Sequence, residues 1–146
     1  MSHYHADYLS GHTEFKVPIV MGPSATRAVN TFKVKECTDG EEITMGDIKI
    51  RVIHTPGHTL ESSSFVLKDK NGKDSCLFSG DTVFLGEVGR PDLACSANIT
   101  KEDLAGMLFD SIQKLRVLDG AIRLYPGHGS GSACGKAIGA GSFCNL

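Results

Sequence analysis

Short alternations of apolar and polar residues predict a protein built mainly from β-strands. Five strand runs are predicted: 32–37 and 47–54 alternate, 64–68 and 75–79 flank a turn signal, and 122–125 has the pattern of a short buried strand. In the second run Ile48, Ile50 and Val52 share one face. Between the third and fourth runs stands Asn71-Gly72, a pair typical of tight hairpin turns. We therefore expect a sheet made largely from strands that follow one another in sequence.

Near the C-terminal end the apolar period becomes helical. Thr100 and Asp103 resemble a capping box at the start of this segment, and Gly120 is a stop signal after it. The apolar residues between them share one face: Leu104, Met107, Leu108, Ile112, Leu115 and Leu118. A shorter helix is expected after His5. The combination predicts an α+β fold with an antiparallel or mixed sheet and a helix packed on one face.

Size and composition indicate one globular domain over residues 1–146. Hydrophobic residues make up 40% of the chain and charged residues 22%. The net charge of −2 does not indicate the basic surface that is typical of nucleic-acid-binding proteins. No apolar stretch reaches the roughly 20 residues that a membrane span needs. The start lacks the basic and apolar regions of a secretory signal, so we expect a cytoplasmic or organellar-matrix location. The five scattered cysteines favour reduced thiols.

Histidines and acids cluster beside glycines, just past predicted strands. The candidates are His3, His5 and Asp7 in H-x-H-x-D, His58 in T-P-G-H-T, Asp81 in S-G-D-T and His128 in P-G-H-G. Strand ends that break into glycine-rich loops can present side chains to one cleft, and neighbours two apart on an extended segment point the same way. Imidazole and carboxylate together suit zinc, iron, nickel or copper. For His12 and His54 a structural or supporting role is favoured over ligation.

In order and spacing these motifs resemble the metallo-β-lactamase superfamily, whose signature is H-x-H-x-D-H followed by a His, an Asp and a further His. The resemblance covers nearly the whole chain. It implies a metallo-β-lactamase-type αββα sandwich, of which this chain would be an incomplete domain that lacks the N-terminal strands. In the family several strands precede H-x-H, whereas only Met1 and Ser2 do here. We therefore expect a chain truncated at both ends.

Within the superfamily the chain looks most similar to the persulfide dioxygenases, especially the forms often fused to rhodanese domains. The stretches that carry this likeness are residues 5–12, 54–59, 80–93 and 126–136. The resemblance implies one Fe(II) per chain, held by His3, His58 and Asp81 as the catalytic metal ligands. It further implies that glutathione persulfide and O2 react there to give sulfite and glutathione. A homodimer is compatible with the sequence.

The other motif residues receive supporting roles from the same resemblance. His5, Asp7 and His128 would either steady the iron ligands or hold a second ion. Arg90 and Lys136 are the cations nearest the motif loops and could grip the carboxylates of glutathione, although a solvated surface charge is an equal alternative for both. Cys134 lines the same loop, where a small buried residue is its favoured role and a contact with the substrate is the alternative.

Tyr8 departs from the superfamily signature because it stands where the final histidine of the first motif is expected. Loss of that imidazole weakens a second zinc position and therefore disfavours hydrolase chemistry. Two alternatives stay open: a dinuclear zinc thioester hydrolase of the glyoxalase II type, and an inactive metal-binding fragment. A nucleic-acid-processing relative is disfavoured by the charge balance.

Overall fold

A six-stranded mixed sheet forms the centre of the computed structural model, which describes residues 1–5, 7–23 and 32–146. Its strands in spatial order are β10 (Cys144–Asn145), β9 (Arg123–Pro126), β6 (Asp74–Gly80), β5 (Ser63–Lys68), β4 (Ile48–His54) and β3 (Glu42–Met45). Two smaller sheets pair β1 (Ile19–Met21) with β2 (Val34–Glu36) and β7 (Val83–Phe84) with β8 (Glu87–Val88). The prediction of an α+β fold with a mixed sheet is confirmed.

The hairpin predicted at Asn71-Gly72 joins β5 to β6. Gly72 has a φ of 77°, a left-handed value that glycine adopts without steric cost. The carboxylate of Asp69 accepts hydrogen bonds from the backbone amides of Asn71 and Lys73 and closes the turn. The run at 32–37 behaves differently from its prediction. Its strand is only Val34–Glu36 and pairs in parallel with β1, outside the six-stranded sheet.

Helix α1 spans Lys101–Leu115 and begins with the predicted capping box. The Thr100 hydroxyl accepts from the Asp103 amide, and the Asp103 carboxylate accepts from the Thr100 amide. The prediction that the helix continues through Leu118 is wrong, because α1 ends at Leu115 and Leu118 lies in the following turn. The shorter helix expected after His5 is one 3-10 turn at Gly11–Glu14.

The helix packs on one face of the sheet, as predicted. Leu115 meets Val66, Leu77 and Leu124 in the main core, and all four side chains are buried. Strand β4 contributes Ile53 to this core. The alternating set of Ile48, Ile50 and Val52 therefore faces away from the helix, since neighbours along a strand alternate between faces.

Strand direction decides where the site lies. Strands β4 and β6 both pair antiparallel with β5, and β9 pairs parallel with β6. The carboxyl ends of β4, β6 and β9 therefore meet at one edge of the sheet, and each runs into a loop that carries a candidate ligand. Among the described residues, no helix has both the length and the apolar character of a membrane span.

Candidate metal centre

The H-x-H motif lies on an extended segment that docks beside the start of β5. The Ser63 amide donates to the Ser2 carbonyl over 3.0 Å, and the Tyr4 amide donates to the Glu61 carboxylate over 2.9 Å. Gly80 makes the close approach possible, because a Cβ there would lie 2.5 Å from the Cβ of Ser2. The segment is therefore fixed by contacts on both sides of His3.

Helix α1 supports the loop that carries His58. Gly57 has a φ of 139° and lies directly against Leu108 of the helix, where a Cβ would collide with that residue. The hydroxyl of Ser111 donates to the Pro56 carbonyl over 2.7 Å. Ser111 is buried within the apolar face of α1, so its hydrogen bond satisfies a group that would otherwise be costly to bury.

His3, His58 and Asp81 form the first donor group. The Asp81 Oδ2 atom lies 3.6 Å from His3 Nε2 and 3.5 Å from His58 Nε2. One ligand atom from each residue lies within 4.8 Å of the others, and all three residues are buried. The structure thus brings together the three residues that the sequence pointed to, from the N-terminal segment, the β4–β5 loop and the end of β6.

In both imidazoles of the first group, the ring nitrogen that does not face Asp81 has a hydrogen-bond partner. The other ring nitrogen of His58, Nδ1, lies 2.9 Å from the Arg90 carbonyl oxygen, which can only accept, so Nδ1 carries the proton. His3 Nδ1 lies 3.0 Å from the Ser2 hydroxyl. These contacts direct both Nε2 atoms towards Asp81, an arrangement typical of metal-binding histidines.

A second donor group, His5, Asp7 and His128, lies beside the first. Its ligand atoms also lie within 4.8 Å of one another. His128 Nε2 lies 3.7 Å from Asp7 Oδ2 and 3.1 Å from Asp81 Oδ2, which links the two groups. Tyr8 stacks on His5, and its hydroxyl lies 2.7 Å from His5 Nε2. The Nδ1 atom of His5 is buried and has no hydrogen-bond partner among the described residues.

The donor atoms fit a divalent metal ion. Within the described part of the chain, Asp81 Oδ1 and Oδ2, His128 Nε2 and His5 Nδ1 are buried atoms with no hydrogen-bond partner. Buried polar atoms left in this state cost free energy unless a partner compensates. In a tetrahedral metal site the usual metal–ligand distances place two ligand atoms about 3.3–3.8 Å apart. The separations between Asp81 Oδ2 and the Nε2 atoms of His3 and His58 are close to these values. The site could therefore hold an ion that the superfamily members bind.

Burial sets the protonation of several groups in the cleft. Desolvation lowers the pKa of His3 to about 2, with smaller contributions from His5, His58 and His128, and desolvation also lowers the pKa of His5. Both rings are therefore held in the neutral form that binds metals. Burial raises the pKa of the Tyr8 hydroxyl and raises that of the Cys134 thiol to about 11.

Residues 80–93 and 126–136, which carry the family likeness, bind one another. The Glu87 carboxylate accepts hydrogen bonds from the backbone amides of Lys136 and Ala137, at 2.8 and 2.6 Å. The Arg90 guanidinium donates to the Ala133 carbonyl over 3.2 Å. The two loops therefore form one unit, which is called the loop unit below.

The structure places all three predicted substrate-binding residues in this unit. Arg90 makes a paired hydrogen bond to Asp92, and its amide donates to the Cys134 carbonyl. Arg90 and Lys136 line a cavity of about 370 Å³ next to Lys101. Cys134 is only 3% exposed and packs with Phe84 and Ile138, as expected for the small buried residue that the sequence favoured.

Several supporting residues escaped the sequence analysis. Glu61 and Ser111 hold ligand-bearing segments through contacts to backbone groups, Ser2 contacts the ring of His3 directly, and their sequence neighbourhoods carry no signal for these roles. His54 Nε2 lies 2.9 Å from the Leu60 carbonyl, which agrees with the supporting role expected for it. His12 packs on Phe32 and belongs to neither donor group. In the described chain all five cysteines are free thiols, as predicted.

Comparison with known proteins gives a consistent result. The chain is 33% identical over 131 residues to a hydroxyacylglutathione hydrolase of Rhodopseudomonas palustris (strain BisB18), covering 88% of this chain and 46% of the relative. It matches a metallo-beta-lactamase structure from Staphylococcus aureus subsp. aureus COL with a TM-score of 0.87 and 36% identity, over 99% of this chain and 46% of that one. ETHE1 from Myxococcus xanthus matches with a TM-score of 0.70 and 25% identity, over 94% and 56%.

The chain thus spans about half the length of these proteins. The sequence profile of the Metallo-beta-lactamase superfamily matches residues 1–128, a range that includes both donor groups. The superfamily contains many metal-dependent enzymes, and its fold agrees with the sheet, the helix and the ligand-bearing loops described above. This chain belongs to the metallo-beta-lactamase superfamily.

Proposed function

We propose that the chain carries the metal-binding part of a persulfide dioxygenase, which oxidises glutathione persulfide to sulfite and glutathione at a single Fe(II). The observation that carries this proposal is the first donor group. Two imidazoles and one carboxylate, those of His3, His58 and Asp81, converge from three separate segments. Such a set leaves coordination positions open and is typical of non-haem iron oxygenases.

The protein's own residues fix and shield this centre. The Ser2 hydroxyl and the Arg90 carbonyl hold the rings of His3 and His58 in the orientation that turns Nε2 inward. Burial of Asp81 excludes water from its carboxylate, which strengthens its attraction for a cation. A bound Fe(II) supplies the redox chemistry with O2, and the surrounding chain positions the persulfide.

The loop unit also carries cations that suit a glutathione-sized substrate. Arg90, Lys101 and Lys136 line a cavity of about 370 Å³, in which Arg90 is paired with Asp92, and glutathione carries two carboxylates. The overall reaction consumes one O2 and one water per persulfide and releases glutathione, sulfite and two protons. The likeness to ETHE1, together with the residue stretches 80–93 and 126–136, supports this branch of the superfamily.

A second candidate is a dinuclear zinc hydrolase that cleaves a glutathione thioester. The second donor group favours it, because His5, Asp7 and His128 lie beside Asp81 as a further set of ligands. The likeness to a hydroxyacylglutathione hydrolase also supports this reading. Against it stands Tyr8, since its phenol occupies the position where the superfamily signature has a histidine.

Anaerobic loading separates the two candidates. The metal-free protein is loaded with Fe(II) or with Zn(II), metals per chain are counted, and the products are followed with glutathione persulfide and with a glutathione thioester. The proposal predicts one Fe(II) per chain and O2 uptake that matches sulfite release. Two zinc ions with thioester cleavage and no O2 uptake would favour the hydrolase. A folded chain that binds neither metal contradicts both.

A further inference from the structure

The two faces of the six-stranded sheet are covered to different extents. On the face that packs against α1, Val66, Leu77 and Leu124 are at most 2% exposed. Successive side chains along a strand alternate between the faces, so the next residue on β6 and the next on β9 point the other way. These are Phe78, which is 44% exposed, and Tyr125, which is half-buried. Helix α1 therefore leaves the second face without a comparable cover.

This second surface is called the open face, and it consists mainly of apolar side chains. The pairing register places its members on neighbouring strands: Met45, Ile50, Phe65, Phe78 and Tyr125, with Phe143 beside them. Each of the six is half-buried or exposed. A soluble monomer rarely exposes a contiguous apolar patch larger than a few hundred Å².

The charged side chains of these strands lie on the opposite face. Glu42 forms ion pairs with Lys49 over 3.1 Å and with Lys68 over 2.7 Å. Each of the three is next in sequence to an apolar residue of the open face, so alternation turns it towards the helix side. From β3 to β6, the described strand residues of the open face therefore include no charge. Such a face can meet a copy of itself without like-charge repulsion.

The open face also has two halves of complementary shape. Met45 and Ile50, on the outer strands β3 and β4, line a hollow of about 300 Å³. On the other half of the sheet three rings form a row, with centroids 5.5 Å apart from Phe78 to Tyr125 and 5.7 Å apart from Tyr125 to Phe143. The face thus carries an aliphatic hollow on one side and an aromatic row on the other.

We propose that the open face binds the open face of a second copy of this chain, which gives a symmetric dimer. A two-fold axis along the middle of the sheet, between β5 and β6, would place the aromatic row of each copy over the hollow of the other. In such an interface both copies use the same surface. The dimer would have four layers, with two sheets inside and one α1 helix on each outer side, a stable arrangement for half-covered sheets.

The dimensions of the open face suit a weak dimer. Five strands about 4.8 Å apart and about five residues long give roughly 400 Å² on each copy, before the relief of the side chains is counted. Specific interfaces bury at least about 1,000 Å² in total, which two such faces approach. We therefore expect a dissociation constant of about 1–100 µM. This proposal goes beyond the proposed dioxygenase function and does not depend on it.

The test is sedimentation equilibrium of the full chain from about 1 to about 500 µM, a range that spans the expected dissociation constant. We expect the mass to rise from 15.6 kDa to twice that value. Phe78→Glu should weaken the dimer at least about 100-fold, because it buries a carboxylate without a partner. The matched control is Phe109→Glu, since Phe109 is 64% exposed on α1 and should leave dimerisation unchanged. Circular dichroism checks that both variants fold.

Several results would overturn the proposal. A parent protein that stays monomeric at the highest concentration would do so, and it would favour a different polypeptide as the partner of the open face. A dimer that survives Phe78→Glu, or one that Phe109→Glu disrupts equally, would place the interface elsewhere. Open-ended association would also contradict it, because two paired faces leave no further surface of this kind.

A second variant keeps the test decisive if Phe78→Glu does not fold. Met45 is 54% exposed on the outer strand β3, so Met45→Glu should fold and still weaken the dimer at least about tenfold. None of these measurements requires a metal or a substrate. A monomeric chain that binds Fe(II) would leave the proposed dioxygenase intact, and a dimer that binds no metal would leave the open-face proposal intact. Failure of the two proposals is thus distinguishable.

Discussion

The two donor groups share one cleft but differ in how they are held. His3, His58 and Asp81 are each at most 3% exposed. The Nδ1 atom of His3 contacts the Ser2 hydroxyl, and that of His58 contacts the Arg90 carbonyl. In the second group Asp7 is exposed and His5 is half-buried. The partners of the second group are side chains, Tyr8 for His5 and Cys134 for Asp7.

This difference indicates which metal position is already formed before an ion binds. The Arg90 carbonyl that holds His58 moves only when its loop moves, and the buried ring of His3 has little room to turn, whereas the more exposed side chains of the second group can change rotamer at lower cost. The first group therefore keeps its geometry without an ion, and the second can adjust to the ion that arrives. Asp81 belongs to the first group and lies 3.1 Å from His128 of the second, so its removal should have the largest effect on the cleft.

Asp81→Ala should weaken the binding of both ions by at least about 100-fold, because it removes a direct ligand, whereas loss of a supporting contact typically costs 10- to 100-fold. Metal competition with a chromophoric chelator measures the change. The control is Asp7→Ala, which should leave the tighter ion in place. An Asp81→Ala protein that retains its full iron content would contradict the ligand assignment.

Gly57→Ala should weaken the first group without touching the second. A Cβ there collides with Leu108, and the φ of 139° disfavours alanine, so we expect a loss of about 1–3 kcal/mol in the free energy of unfolding. The matched control is Gly106→Ala, on the exposed face of α1, where a Cβ meets open space among the described residues. Chemical denaturation should show Gly106→Ala to be more stable than the parent by about 0.5–1 kcal/mol. Equal effects of the two changes would count against the packing of α1 on the His58 loop.

Tyr8→His should strengthen the second group. It places an imidazole beside His5 and His128, whose rings lie 4.2 and 5.7 Å from the ring of Tyr8. We expect about a tenfold gain in affinity for the weaker ion, comparable to that of a good supporting contact. Isothermal titration with Zn²⁺ checks it, with Tyr8→Phe as the control that gains no ligand. No gain over Tyr8→Phe would mean that position 8 lies outside the reach of the second ion.

Lys136→Ala should have the smallest effect, and it concerns the substrate rather than the metal. Its ammonium is exposed, so loss of a solvent-screened contact to a glutathione carboxylate should raise KM about two- to fivefold with kcat unchanged. Steady-state O2 uptake measures both constants. The control is Lys101→Ala in the same cavity. A fall in kcat without a change in KM would argue against a binding role.

Local signals in the sequence were enough for the regular elements. The capping box at Thr100 and the turn at Asn71-Gly72 both act within a few residues, and both form as predicted. Strand β1 is too short to show a period, and the alternation that predicted β2 does not specify a partner strand, so their parallel pairing was not foreseen. The end of α1 at Leu115 was also missed, because Leu118 still packs on the core from the turn beyond.

The residues of the site likewise divide into those that local sequence signals predicted and those that they did not. Glycine-flanked histidines and acids after strands pointed to His3, His58 and Asp81, and the fold brings them together, although their assignment as ligands stays a prediction. The contact of Cys134 with Asp7 spans 127 residues, and that of Ser111 with Pro56 spans 55. Such contacts depend on the complete topology, which no short sequence pattern encodes.

The central claim is that His3, His58 and Asp81 share one ion. Anomalous diffraction at the iron edge from anaerobic, Fe(II)-loaded crystals tests it most directly. We expect an anomalous-difference peak at about 2.0–2.2 Å from His3 Nε2, His58 Nε2 and Asp81 Oδ2. Iron bound only among His5, Asp7 and His128, or a map without a peak in the cleft, would contradict it.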